Sequence, residues 1–171
     1  MLKIFGMILI IFASTKIGFF YASRLEKRKN TLICLKNAFI MLESEIRFSQ
    51  NAISKALENI ASTMPEIISG FFVEVSQKIS YQRKTVDDAW GETVYKYAPK
   101  FCLTCADVQV LKSFALQFGK SDIKNEIKNI HNTYTAINML ISDATNACDA
   151  NKRMYQNAGI LGGVLIAVIL F

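Results

Sequence analysis

At 171 residues the chain allows one modest domain with extensions, and with 51% hydrophobic residues and only two prolines it is not a low-complexity sequence. The formal charge of +6 could suggest nucleic acid, but the basic residues form no long stripe. The densest group (Arg24, Lys27, Arg28 and Lys29) follows an apolar run, where membrane flanks carry such charge, so the composition argues against a nucleic-acid partner and for a lipid bilayer.

Residues 4–23 are apolar except for Lys16 and a few small polar side chains. As a helix they reach about 30 Å, the thickness of a hydrocarbon core. A secretory signal peptide is the rival reading, and the basic cluster that follows opposes it. Lys16 is anomalous inside a span: it snorkels toward the interface or lines a path.

Beyond the cluster the pattern is helical throughout. Leu32, Leu35, Phe39, Leu42 and Ile46 recur at three and four residues, and Ile53, Leu57, Ile60 and Met64 repeat that spacing. Pro65 interrupts the chain and opens another helix as a first-turn residue, carrying Ile68, Phe71, Phe72 and Val75. Thr85 with Asp88, and Thr104 with Asp107, are capping pairs for helices carrying Trp90 and Leu111, and Pro99 closes the first of these. Gly119 fits a helix C-terminus, and Ser121 or Asp122 caps the next helix. From Asp122 no proline interrupts the chain and no glycine precedes Gly159, which predicts one long helix running into a second apolar segment. Residues 158–171 carry no charge and give about 21 Å of helix; starting at Met154 gives about 27 Å. A buried core helix is the alternative, but it would show a polar face.

The fold class expected is all-α, a bundle of about six helices between two transmembrane helices, with boundaries 1–23, 24–153 and 154–171. Basic residues concentrate between the apolar ends, so the middle is expected in the cytoplasm and both termini outside, a two-span membrane protein. Gly18 with Ala22, and Gly159 with Gly163, form small-xxx-small pairs, candidates together with Lys16 for helix packing in the membrane.

No nucleotide-binding, zinc-protease or nucleophile-elbow motif is present, and one histidine, His131, leaves little general-base chemistry. Cys102 and Cys105 form a C-x-x-C, but zinc would need further ligands such as Cys34 or Cys148, and no strand pattern surrounds it for redox work. Scattered cysteines fit a reducing compartment. The chain is therefore expected to be no enzyme and to hold no cofactor or metal. Trp90 is a core anchor or an exposed contact for a partner.

Taken in order, several segments resemble the stage III sporulation protein AB family of endospore-forming bacteria. They are the opening Met-Leu-Lys with Gly18-Phe19, Leu42-Glu43-Ser44-Glu45-Ile46, Ala56-Leu57, Ala89-Trp90, the turn Gly119-Lys120-Ser121-Asp122, and Leu161-Gly162-Gly163 in the last segment. Phe118 stands where the family usually has leucine, and Lys16 is not expected of it. The resemblance implies a non-enzymatic platform in the mother cell–forespore channel, in the mother-cell membrane around the forespore. It also implies a helical domain similar to the cytoplasmic domains of type II secretion F and type IV pilus platform proteins. Its partners would be a secretion-type ATPase, stage III sporulation protein AA, and other membrane proteins of the channel. The alternative is a small channel or transporter subunit with Lys16 on the path. The turn residues Gly119, Lys120, Ser121 and Asp122, with Trp90, are the candidate partner contacts; the competing reading is that the turn motif only shapes the chain.

Overall fold

The computed structural model describes residues 2–48, 52–119 and 122–170, with side chains from Phe5 onward. Six helices occupy them: α1 (Leu2–Phe48), α2 (Ile53–Thr63), α3 (Glu66–Ser80), α4 (Val86–Phe101), α5 (Cys105–Gln117) and α6 (Ile123–Leu170). The all-α expectation holds, and among the described residues there is no strand.

Local chemistry sets most helix ends. Thr85 accepts the Asp88 N–H and starts α4. Thr104 and Asp107 form a reciprocal capping box at α5: the Thr104 N–H donates to Asp107 Oδ2 (2.8 Å) and the Asp107 N–H to Thr104 Oγ1 (3.4 Å). Two prolines sit slightly differently from expectation. Pro65 is the N-cap of α3, one position before its first turn, where its missing N–H costs nothing. Pro99 lies inside the last turn of α4 and does not close it. The helix ends at Cys102, whose left-handed φ of 57° lets the Leu103 N–H reach the Ala98 carbonyl (3.0 Å), a Schellman-type closure usually made by glycine.

The sequence pattern separates the first apolar segment from the first amphipathic helix, whereas the structure joins them in α1. Nothing between Ala22 and Leu32 is a proline or glycine, so no backbone signal breaks the helix. At the other end, α6 is the long uninterrupted helix expected. By length and composition, α1 and α6 each carry a stretch able to cross a membrane.

The chain divides into two compact units. One comprises Met1–Lys29 with Ser142–Phe171, the other Asn30–Ile141. The second is built around Trp90, which is 1% exposed. The rings of Phe71 and Phe114 lie 5.0 Å from it and those of Phe39 and Phe72 5.9 Å, mostly edge-on, so that ring edges meet ring faces. The indole Nε1 donates to the Leu111 carbonyl (2.9 Å), which satisfies its one polar atom inside the core. Burying each such side chain contributes about 1.5–3 kcal/mol.

The first unit follows the opposite rule. Phe5, Ile8, Phe12, Leu165 and Val168 are exposed, while the small residues Gly18, Ala22, Gly163 and Ala167 are buried. Small residues inside and large apolar ones outside is the pattern of helices that pack in lipid.

Candidate functional site

In the first unit α1 and α6 run antiparallel and touch backbone to backbone at two glycines. A Cβ on Gly18 would lie 2.5 Å from the Tyr155 carbonyl oxygen and 2.9 Å from Gly159 Cα; a Cβ on Gly159 would lie 2.9 Å from Gly18 Cα and from the Ser14 carbonyl oxygen. Gly163 meets Ile11 and Ser14 at 3.0 Å in the same way. Neither helix could approach so closely with any other residue at positions 18 and 159. Ser14 adds a bond that the sequence reading missed: its Oγ donates to the Gly159 carbonyl (2.7 Å). The signal was present, because Ser14 stands four residues before Gly18 and so shares its face.

The seam ends in polar and aromatic contacts. Tyr21 stacks on Tyr155, centroids 6.0 Å apart. One turn further on, Lys152 Nζ donates to Glu26 Oε2 (2.8 Å). That hydrogen bond and the Lys152 charge hold the Glu26 carboxyl below its ordinary value, and Glu26 in turn raises Lys152. Of the candidate packing residues, Gly18, Ala22, Gly159 and Gly163 are thus all in this unit and, Gly159 being partly covered, the rest buried. Lys16 is not with them. It is exposed on the far side of α1, its Nζ 5.4 Å from the Phe12 ring centroid. The touching backbones leave no lumen between these two helices for Lys16 to line.

In the second unit the candidate turn is partly described. Gly119 has φ +81°, a conformation that favours glycine. Its N–H donates to Glu126 Oε1 (2.9 Å), tying the turn to the first turn of α6. Asn129 Nδ2 reaches back to the Phe114 carbonyl (3.1 Å) at the end of α5. Asp122 immediately precedes α6, is exposed, and accepts from Asn125 Nδ2 (2.6 Å). Lys120 and Ser121 lie outside the described residues. Of the two readings of Trp90, core anchor or exposed contact, its 1% exposure fits the core anchor.

One polar surface was not anticipated. Lys84, Glu92, Lys78, Glu74 and Lys96 alternate in sign across α3, α4 and the connection that carries Lys84, with N–O separations of 2.5, 3.2, 3.4 and 2.7 Å. Burial opposes ionisation of Glu74, yet hydrogen bonds and charge from Lys96 and Lys78 hold its carboxyl below its ordinary value. A hydrogen bond from Lys84, then one from Lys78, does the same for Glu92, and Glu74 raises Lys96. Of these four ion pairs, only Glu74 with Lys78 has the i, i+4 spacing that a sequence shows.

Comparison with known proteins follows the same outline. A family model described as stage III sporulation protein AB matches residues 3–171. The stage III sporulation protein AB of Bacillus subtilis (strain 168) is 27% identical over 170 residues, with 99% of each chain covered. A solved structure of a stage III sporulation protein AB superposes with a TM-score of 0.67 at 24% identity, over 72% of this chain and 97% of that one, a likeness of fold.

Proposed function

This chain belongs to the stage III sporulation protein AB family, and we propose that it is a non-enzymatic membrane platform of the channel apparatus between mother cell and forespore. In this reading α1 and α6 cross the mother-cell membrane around the forespore, and the middle of the chain lies in the cytoplasm with both termini outside. The helical unit couples a secretion-type ATPase, stage III sporulation protein AA, to other membrane proteins of the apparatus, and hydrolyses nothing itself. The domain limits are 1–23, 24–153 and 154–171.

The observation that carries this reading is one chain holding both a glycine-closed pair of apolar helices and an aromatic-cored helical unit. The first has the surface of a membrane anchor, the second that of a rigid body in water. The basic flanks Arg24, Lys27, Arg28 and Lys29, and Lys152 with Arg153, support the orientation. The ATPase partner comes from the family resemblance. A channel subunit gains no support, since Lys16 faces away from the only helix pairing of its unit among the described residues.

The test is protease accessibility of a tag inserted at Tyr81, an 83% exposed residue after α3. Protection in spheroplasts that is lost on permeabilisation supports a cytoplasmic unit; digestion in intact spheroplasts rejects the orientation and the ATPase coupling with it. A folded Asp122→Ala chain that no longer co-purifies with the ATPase places docking at the turn. Retained co-purification leaves residues 118–122 the role of shaping the chain.

A further inference from the structure

We propose that the face of α1 around Lys16 docks a membrane helix that presents an aspartate or glutamate at mid-bilayer depth. The inference rests on the reading that α1 and α6 cross the membrane. Within residues 4–23, Lys16 stands about 4 Å from the midpoint along the axis and about 12 Å from Arg24, the nearer basic flank. A charge at that depth is costly unless it is paired or reaches the interface.

Three observations favour pairing. First, the side chain does not run toward the nearer flank. Its Nζ sits 5.4 Å from the centroid of Phe12, one turn toward the N-terminus and so toward the bilayer centre. Helical side chains lean toward the N-terminus, so snorkelling to the Arg24 flank would run against the direction the helix favours. Second, this pair of helices cannot supply the counter-charge. No Asp or Glu precedes Glu26 and none follows Asp149, so neither apolar segment carries a carboxylate. Third, Lys16 is accessible: it lies about 200° around α1 from Gly18, away from the seam, between the exposed rings of Phe12 and Phe20.

The same count decides what the occupant is. A second copy of this chain has no carboxylate in its own apolar segments and cannot neutralise Lys16 at that depth. The occupant is therefore a helix of a different membrane protein. Its recognition would combine an ion pair in a low-dielectric medium with ring contacts from Phe12 and Phe20 on either side.

The experiment reconstitutes the full chain in phosphatidylcholine vesicles with dye-labelled leucine–alanine helices of about 20 residues bearing Asp, Asn or Leu at the centre, and reads association by energy transfer. The expected result is at least tenfold tighter association with the Asp helix than with the Asn or Leu helix. That preference should be lost in Lys16→Leu and kept in Lys16→Arg. Lys16→Leu makes the segment more apolar, so failed insertion does not imitate the loss. An Asp preference that persists in Lys16→Leu, or no preference at all, overturns the proposal. So does a preference abolished by adding phosphatidylglycerol, which would make a lipid phosphate the counter-ion. Extraction of the unmodified chain from the vesicles by alkaline carbonate would instead reject the membrane reading on which the proposal stands.

Discussion

Two glycines and a cysteine show how differently the backbone constrains the residue it carries. Gly119 is needed for its backbone: with φ +81°, a side chain there meets only ordinary contacts with Val86 and Ile53 but a strained conformation. Gly119→Ala should therefore destabilise the chain by about 1 kcal/mol. Gly91, in the middle of α4, needs neither freedom nor space, since nothing lies within 4 Å of its would-be Cβ. Gly91→Ala should stabilise by about 0.5–1 kcal/mol. Cys102 is the converse, a side chain held at φ 57°. Cys102→Gly should relieve strain, partly offset by the greater freedom of glycine in the unfolded chain. Urea denaturation of the purified chain in detergent, followed by the fluorescence of Trp90, checks all three. Equal midpoints for Gly119→Ala and Gly91→Ala would reject the backbone argument.

At the scale of elements, the helix boundaries were legible where the signal is local. Thr85, Thr104 and Gly119 act on backbone groups within a few residues of themselves, so their spacing alone identifies them. The continuity of α1 was harder to see, because the change at Arg24 is one of composition and the backbone does not register it. Pairings between elements were not legible. Gly18 and Gly159 announce a close approach without naming its partner, and the ladder from Lys84 to Lys96 exists only once α3 lies beside α4. Both pairings can be tested. With the four cysteines replaced by alanine, Ser14→Cys with Gly162→Cys should cross-link readily in membranes, since a Cβ at position 162 lies 3.8 Å from Ser14 Oγ. Adding Gly18→Ala should abolish the cross-link, because its Cβ cannot fit against the Tyr155 carbonyl; unchanged cross-linking would show that the helices do not depend on that contact.

The ladder should appear in the pH dependence of stability. Glu74 and Glu92 are lowered from 4.5, so their contribution is present above that value and is lost as pH falls through the lower folded values. Lys96 is raised from 10.5, so its contribution is complete below that value and is lost as pH rises through the higher folded one. Stability should be flat between these limits on account of this ladder. Lys78→Met with Lys96→Met should reduce the acid-side loss measured by urea denaturation below pH 4.5; an unaltered acid limb would mean that the ladder contributes nothing measurable.

At the scale of the whole molecule, the two units obey different solvents. Asn30–Ile141 encloses its large apolar side chains, with Trp90 at the centre and its indole N–H satisfied. Met1–Lys29 with Ser142–Phe171 turns large apolar side chains outward and keeps small ones at the seam. Water stabilises the first arrangement and opposes the second. The division therefore predicts that a fragment of residues 30–141 is soluble without detergent and unfolds cooperatively, because the rings packed on Trp90 (Phe39, Phe71, Phe72 and Phe114) all come from within it. Trp90 emission should be blue-shifted in the folded fragment and move to longer wavelength in one transition with the loss of helical circular dichroism. Trp90→Ala should cost about 3–5 kcal/mol and bring the fragment near its unfolding threshold. A fragment that aggregates, or whose Trp90 already emits as in water, would mean that the core needs the apolar ends to form, and the proposed separation of anchor from platform would fail with it.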